Sequence, residues 1–313
     1  MNKKWYPCEL HCHTLHSDGD FTVKELISTA KERKLCAICL TDHNTMSGHR
    51  ETEMENDLAI LKGIEWTTYF GHMLVLDTKS YVDWRDAVPD NIDEKISAVK
   101  EQGGLVGIAH PFQIGTPICT GGHWDFRVQN WDNVNYMEIF AEGEPYLNAA
   151  NGKAREMWHS LLSRGYRITP TMGRDWHRAG NNIYPSACTY LLIEGEITAE
   201  KMKEAIEKGR TAVSNGALLT FEASDGKTSG DTVQSGEITL KINIDLSRHI
   251  SMEEREIIPE KILLCSSEGE REYPIGDITF TANSGEWYSL ELWGSTDGRE
   301  NTLLCLSAPI YTK

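Results

Sequence analysis

The sequence predicts a barrel-like α/β domain followed by a small antiparallel β domain. Over roughly the first 215 residues, short apolar runs alternate with amphipathic segments, which is the pattern of repeated βα units. About seven such units fit into this length, as in a barrel of parallel strands. From Leu218 the pattern changes to short alternating strands separated by Gly, Asp and Ser, typical of an antiparallel sheet or sandwich. We therefore divide the chain into residues 1–215, the α/β domain, and residues 216–313, a β-sandwich-like domain.

The elements of the first domain are predicted from local signals. Residues 6–13 form a strand, and Thr22-Val-Lys-Glu25 is a capping box that starts a helix. A second helix opens at Asn91 and ends before Gly103, and a later one covers residues 198–208. A further helix is predicted at residues 149–163. Apolar runs predict the remaining strands at residues 35–40, 59–66, 73–76, 105–109, 134–140, 167–171 and 191–193.

Composition and charge narrow the class of protein. The chain has 313 residues, of which 40% are hydrophobic and 25% charged, and no apolar run reaches the length of a membrane span. The N-terminus MNKKWYPCEL lacks the apolar core of a secretory signal, so we expect a cytoplasmic protein. The formal net charge of −16 argues against binding to nucleic-acid polymers or anionic membranes. The eight scattered cysteines are interpreted as free thiols.

Side chains of metal-ligand type follow almost every predicted strand. His11 and His13 lie two apart on one strand, so they point to the same side and Cys12 to the other. Alone, this pair fits hydrogen-bonded core histidines as well as a chelate. The others are Asp42 and His43 in LTDHN, Glu65 in GIEWTT, His72 in FGHM, His110 in IAHPF, and Asp175 and His177 in GRDWH. Because the carboxyl ends of parallel barrel strands meet on one face, the pattern favours a metal centre.

The donor set consists of imidazole and carboxylate groups, which suit Zn, Mn or Fe(II). These nine residues are too many for one ion. We therefore expect two or three divalent ions, with Glu65 as the natural bridge because a carboxylate offers two oxygens.

Five motifs, HCHTLHSDG, TDHN, GIEWTT, IAHPF and GRDWH, resemble in this order those of the PHP (polymerase and histidinol phosphatase) superfamily. The C-terminal sheet and the phrase GRTAVSNGALLTF resemble its carbaryl hydrolase-like branch. The resemblance implies a distorted seven-stranded α/β barrel and a trinuclear metal site. It implies one ion held by His11, His13, Glu65 and Asp175, a second by Glu65, His72 and His110, and a third by Asp18, His43 and His177. The alternative for His72 is a structural histidine of the barrel wall.

A site of this kind predicts a metal-dependent hydrolase acting on ester bonds of a small molecule through a metal-bound hydroxide. Asp175 is the candidate for carrying a proton to the leaving group, and His43 and His177 are further catalytic candidates. The resemblance favours a phosphoesterase whose substrate is a small anionic phosphodiester or phosphomonoester. The alternative is a carbamate or carboxylic ester hydrolase using the same site. A non-catalytic metal-binding module is the third possibility, against which the complete ligand set argues.

Four residues are candidate substrate contacts, each with a plainer alternative. Arg174 could clamp a phosphate oxygen, but strand alternation favours an outward salt bridge. His16, three positions after His13, is interpreted as a rim residue. His123 lies in a Gly-rich loop that serves as a lid, a leaving-group pocket or plain surface. Trp176 is either a pocket wall or core packing.

Overall fold

Strands and helices alternate through the first two thirds of the chain, which confirms the predicted α/β class. The computed structural model describes residues 3–54, 58–114, 122–141, 149–179, 187–248 and 256–313. The helices are α1 (Val23–Glu32), α2 (Ile92–Glu101), α3 (Ala149–Ser163) and α4 (Ala199–Glu207). The strands of this part are β1 (Lys3–Cys12), β2 (Ala37–Leu40), β3 (Ala59–Thr68), β4 (Gly71–Leu76), β5 (Leu105–Ile108), β6 (Tyr136–Ala141), β7 (Thr169–Gly173), β8 (Ala187–Glu194) and β9 (Thr211–Asn215).

The later part of the chain consists of strands with short connections, as the alternating pattern predicts. These strands are β10 (Leu218–Ala223), β11 (Thr232–Val233), β12 (Gly236–Asp245), β13 (Ile257–Ser266), β14 (Gly269–Pro274), β15 (Ile278–Ala282), β16 (Trp287–Thr296), β17 (Arg299–Ser307) and β18 (Ile310–Thr312). Short 3-10 helices cover Ser47–Met54, Trp131–Asn133 and Leu246–Arg248.

The helix starts follow from their capping residues. Thr22 forms the predicted capping box with Glu25, in which each side chain accepts a hydrogen bond from the other residue's backbone N–H. Thr198 is the N-cap of α4, where its side chain accepts the backbone N–H of Lys201. Asn91 precedes α2 as predicted, but its side chain bonds backward to Val88 and Asp86 instead of into the helix.

The central strands place their carboxyl ends on one edge. β1, β2 and β3 pair in parallel, and so do β5, β6 and β7. β4 runs antiparallel between β3 and β5, so the two parallel sets point in the same direction. The residues that follow these parallel strands therefore share one side of the molecule, where β4 also begins.

The seven-stranded barrel is not confirmed, because the sheet does not close. β7 ends the strand order, and no ladder joins it to β1 within the described ranges. Isolated bonds cross the gap instead: Trp176 donates its backbone N–H to His11 O (2.9 Å) and accepts from His13 N–H (2.9 Å), and Arg174 N–H donates to Glu9 Oε1 (2.9 Å). The reason is local, since β7 stops at Gly173 and Asp175 has a left-handed backbone with φ 52. We call this opening the β7–β1 gap.

A separate C-terminal β domain is not confirmed either. β17 pairs with β9, so β16, β17 and β18 continue the same sheet beyond the predicted boundary. Among the described strands, β10, β12 and β15 alone form a separate sheet. One core cluster contains Leu26 and Tyr190 together with Leu264 and Leu290. The division of the chain at residue 215 stays a prediction.

Two further expectations are that no segment spans a membrane and that the cysteines are free thiols. None of the helices in the described part of the chain has the length and apolar character needed to cross a membrane. The seven cysteines within the described ranges are free, and all except the half-buried Cys36 are buried. The eighth, Cys119, lies outside the described residues.

Candidate metal centre

All nine residues that the resemblance assigns as ligands lie together where the parallel strands end. They form three groups in which the donor atoms lie within 4.8 Å of one another. The first is His11, His13, Glu65 and Asp175, the second Glu65, His72 and His110, and the third His13, Asp18, His43 and His177. The groups share Glu65 and His13, so the centre is continuous. That these residues bind ions stays a prediction.

The first group is the most enclosed. His11 Nε2 lies 3.1 Å from Glu65 Oε2 and 3.3 Å from Asp175 Oδ1. His13 Nε2 lies 3.3 Å from the same glutamate oxygen and 2.9 Å from the same aspartate oxygen. The two imidazoles and Glu65 are fully buried, whereas the Asp175 side chain is 18% exposed. Asp175 is thus the route from this group to solvent.

Glu65 joins the first two groups as the predicted bridge. Its Oε2 faces the first group, and its Oε1 lies 3.0 Å from His72 Nδ1 and 3.2 Å from His110 Nε2. Burial disfavours the charged carboxylate, but the adjacent imidazoles of His11 and His43 hold its pKa well below the usual range. Glu65 is therefore ionised and presents one oxygen to each group.

The third group is the most exposed. Asp18 Oδ1 lies 3.4 Å from His43 Nε2 and 3.1 Å from His177 Nε2, and the Asp18 side chain is 61% exposed. The ring of His13 stacks on both imidazoles, at centroid distances of 4.1 Å and 4.2 Å. This group lies at the solvent side of the buried pair formed by His11 and His13.

The chemistry of these residues fits divalent cations. Four buried atoms make no hydrogen bond although they lie close together: His11 Nε2, His13 Nε2, Glu65 Oε2 and Asp175 Oδ1. Such orphaned groups are costly unless a cation gathers them. Burial alone would lower the pKa of His110, yet Glu65 raises it to about 9, so the cavity favours positive charge. Among the described residues, neither lysine nor arginine pairs with the carboxylates of the three groups. Imidazole and carboxylate together suit zinc, manganese or iron.

Glu138, which the sequence analysis missed, contacts the His11 ring of the first group through its nitrogen away from the other ligand candidates. Glu138 on β6 is buried, and its Oε1 lies 3.0 Å from His11 Nδ1. Its Oε2 accepts the backbone N–H of His110 at 3.0 Å. A carboxylate on the far nitrogen fixes the tautomer that leaves Nε2 as the donor to a metal. The available signal was a glutamate inside the apolar strand YMEIFA, because a lone buried acid needs a partner.

The backbone near the ligands is specialised. His110 and Asp175 have positive φ values of 25 and 52, which non-glycine residues seldom adopt. At Gly173 a Cβ atom would lie 1.9 Å from Glu138 Oε1 and 2.6 Å from His11 Cβ. Only glycine therefore lets β7 pass close enough to bring Asp175 to the first group.

Asp42 has another role than its position suggests. It is buried and belongs to none of the three groups. Its Oδ1 accepts the Thr14 N–H at 2.7 Å and the Ser17 hydroxyl at 2.8 Å. Asp42 thus fixes the turn after β1, on which Asp18 lies.

The four candidate substrate contacts lie around the centre and outside the three groups. Both ring nitrogens of His16 are engaged, by Ser47 Oγ at 2.8 Å and Glu51 Oε1 at 2.9 Å. The Arg174 guanidinium lies 5.2 Å from the ring centroid of Trp176, which is itself buried in a core cluster. His123 is exposed and contacts Asp125 at 2.8 Å. His16 and Trp176 are thus engaged within the protein, and Arg174 packs on a buried ring instead of showing the expected outward salt bridge. Contact of any of the four residues with a substrate stays a prediction.

A fourth group of ligand-type residues, His159, Cys265 and Glu291, lies away from the strand ends. Here the carboxylate already has cationic and polar partners: Arg155 Nε lies 2.5 Å from Glu291 Oε1, and Trp293 Nε1 donates to Oε2 at 2.9 Å. An arginine beside the carboxylate neutralises it and repels a cation. This group is therefore an ion-pair network, in contrast to the three groups at the strand ends.

Comparison with known proteins gives three findings. Residues 9–108 match the family model of the PHP domain. MJ1587, an uncharacterized protein of Methanocaldococcus jannaschii, is 32% identical over 127 residues, which cover 36% of this chain and 69% of that protein. A solved two-domain protein from Bacteroides vulgatus, containing a predicted PHP-like metal-dependent phosphoesterase, has a TM-score of 0.56 at 15% identity. That similarity covers 93% of this chain and 91% of the other, and it shows a shared fold.

Proposed function

Because the chain belongs to the PHP domain family, we propose that it is a metal-dependent hydrolase that cleaves phosphate monoesters or diesters of a small molecule. The observation that supports this most is the continuous set of three donor groups, in the first of which four adjacent buried nitrogen and oxygen atoms lack hydrogen bonds. We propose that the groups hold two or three divalent ions of zinc, manganese or iron.

When bound, such ions supply a Lewis acid and make a water acidic enough to act as a nucleophile near neutral pH. The protein's own residues set the conditions for that chemistry. Glu65 and His13 belong to two groups each and hold the centre at fixed spacing. Asp175 is ionised, because His11 and His13 outweigh the effect of burial and hold its pKa well below the usual range. Its partial exposure makes this carboxylate the candidate for relaying a proton to a leaving group or to solvent.

Charge supports a phosphate substrate. The three groups contain three carboxylates, Asp18, Glu65 and Asp175, so two or three dications leave the centre positive. The rest of the chain is strongly acidic, at −16 overall. A positive centre in an acidic protein attracts a compact anion and disfavours an extended polyanion. A small phosphate ester fits this better than a nucleic-acid polymer does.

The test combines metal analysis with a set of p-nitrophenyl substrates: phosphate monoester, diester, triester, carbamate and acetate. We expect two or three ions per chain and turnover of the monoester or diester, lost on chelation and restored by zinc or manganese. Asp175→Asn should keep part of the metal and lose nearly all turnover, whereas Asp83→Asn on the exposed surface should change neither. Metal-loaded protein that cleaves only the carbamate or the acetate would contradict the phosphoesterase proposal.

A further inference from the structure

The third group depends on the turn between β1 and α1. Asp18 lies on this turn and is largely exposed, and its carboxylate contacts only His43 and His177 among the described residues. Both of these are ligand candidates themselves. The position of Asp18 must therefore be set by whatever holds the turn, which we define as residues 14–20.

One side of the turn is fixed by Asp42, which follows β2, and by a bond within the turn itself. Asp42 binds the backbone and hydroxyl of Thr14 and the hydroxyl of Ser17. Gly19 donates its N–H to Thr14 O, and a Cβ at Gly19 would lie 2.5 Å from His13 C. These contacts give the turn its shape, but they do not link it to the segment that follows His43.

His16 makes that link. Its Nδ1 lies 2.8 Å from Ser47 Oγ and its Nε2 lies 2.9 Å from Glu51 Oε1, both on the 3-10 helix Ser47–Met54. The ring also packs on Gly48, where a Cβ would approach His16 Cδ2 to 3.0 Å. With both nitrogens engaged and one edge packed, the imidazole is held on three sides.

We propose that His16 is a positioning residue that joins the turn to the 3-10 helix and so sets the affinity of the third group for its ion. The inference rests on the proposed function in one respect, namely that the three groups bind metal. His16 reaches neither the first nor the second group. Because the Asp18 side chain is 61% exposed whereas Glu65 is buried, we expect the third ion to be removable separately from the others. Ordering of a ligand by a neighbour behind it is the usual way in which a metal site gains affinity.

The experiment measures metal content at fixed free zinc or manganese, together with ion affinities by calorimetry. For His16→Ala we expect a loss of affinity of about 10–100-fold for one ion, with the remaining ions and the apo-protein melting temperature unchanged. His16→Asn, which can keep a bond to Ser47, and His16→Gln, which can keep a bond to Glu51, should each recover part of the loss. Glu51→Ala should reproduce a smaller loss at the same ion.

Two variants serve as matched controls. Leu15→Ala changes an exposed side chain of the same turn, and Glu53→Ala removes a carboxylate of the same 3-10 helix that pairs with Lys62. Both should keep every ion at wild-type affinity.

The outcomes separate the two proposals. Wild-type protein that binds no ion would overturn the proposed function and this inference together. Wild-type protein with a full complement of ions and a His16→Ala variant that keeps them all would overturn the inference alone. An unchanged complement with a raised KM for the phosphate ester would make His16 a substrate contact instead.

Discussion

A single side chain, Glu138, shows how much of the candidate centre lies behind its ligands. Its two oxygens hold the side chain of His11 and the backbone of His110, which belong to different groups. Gly173 leaves it the necessary space, since a Cβ there would collide with Glu138 Oε1. The orientation of a ligand on β1 thus depends on residues of β6 and β7.

For Glu138→Gln we expect a metal affinity about 10–100-fold weaker at the first group, because an amide no longer draws the proton of His11 Nδ1 as a carboxylate does. The metal affinity is measured by competition with a chelating dye, under conditions in which the metal-free protein stays folded. Glu101→Gln, at the exposed end of α2, is the control and should bind metal as the wild type does. Equal affinities for both variants would show that Glu138 does not orient His11.

The nine ligand candidates could be predicted from the sequence because each follows an apolar run or lies in a motif. The residues behind them could not. Glu138 is hidden in a strand pattern, and His16 could be placed only once its partners Ser47 and Glu51 were known. Those bonds join residues that are 31 and 35 positions apart in the sequence, so local spacing does not predict them.

At the scale of elements, Arg155 fastens α3 to the strands of the later part of the chain. Its guanidinium contacts the fully buried carboxylate of Glu291 on β16 and the exposed carboxylate of Glu270 on β14. Burial raises the pKa of Glu291, and the nearby Arg155 offsets part of that rise. The pair is a buried connection between two elements whose contact no local sequence pattern predicts.

Arg155→Met should destabilise the protein by about 3–5 kcal/mol near neutral pH, because it leaves the Glu291 charge buried without its partner. The sign of the pH dependence follows from the raised folded-state pKa of Glu291. The folded state then holds the proton more tightly than the unfolded state, so stability falls as pH rises above the unfolded value of about 4.3. The cost of the substitution should therefore be smallest in acid and grow toward neutrality. Chemical denaturation between pH 4.5 and 8 measures it.

Two further variants check that assignment. Arg155→Met combined with Glu291→Gln should recover most of the loss, since no buried charge remains. Arg271→Met breaks only the exposed pair with Glu268 and should change stability little. A cost for Arg155→Met that does not vary with pH would show that lost packing, and not the unpaired carboxylate, is responsible.

Strand existence was predicted better than strand bounds. β7 covers Thr169–Gly173 instead of residues 167–171, and β3 continues past its predicted end at Trp66 to Thr68. The first shift puts Gly173 inside the strand, where it packs on Glu138. The second reflects the hairpin with β4, which extends the ladder beyond the apolar run. Tertiary pairing decides such ends, and the local pattern does not contain it.

At the scale of the whole molecule, the later strands complete the sheet of the earlier ones. Cys305, Leu306 and Ser307 of β17 pair with Ser214, Val213 and Ala212 of β9. The partners are about ninety residues apart, and this is why a change of pattern near residue 215 suggested a boundary where the sheet is continuous. A sequence pattern reports the type of each strand and not its neighbour.

We expect the fragment 1–215 not to fold cooperatively by itself. Without β17, β9 becomes an edge strand with unpaired backbone groups, and the core cluster around Leu26 and Tyr190 loses Leu264 and Leu290. Thermal unfolding followed by circular dichroism, with dye binding to exposed apolar surface, compares the fragment with the full chain. A monomeric fragment that melts cooperatively near the full-length temperature would support the predicted two-domain division.

The β7–β1 gap indicates that ions in the candidate metal centre would also have a structural role. His11 and His13 come from one side of this gap and Asp175 and His177 from the other, and backbone hydrogen bonds of Trp176 and His177 cross it. Ions held by these residues would act as cross-links between parts of the chain that are remote in sequence, and would restrict the ways in which the open edge can separate. The free energy of ion binding would then add to the free energy that keeps this edge folded. The candidate metal centre would also hold the open edge of the sheet together, so removal of the ions would loosen the fold around the proposed site of hydrolysis.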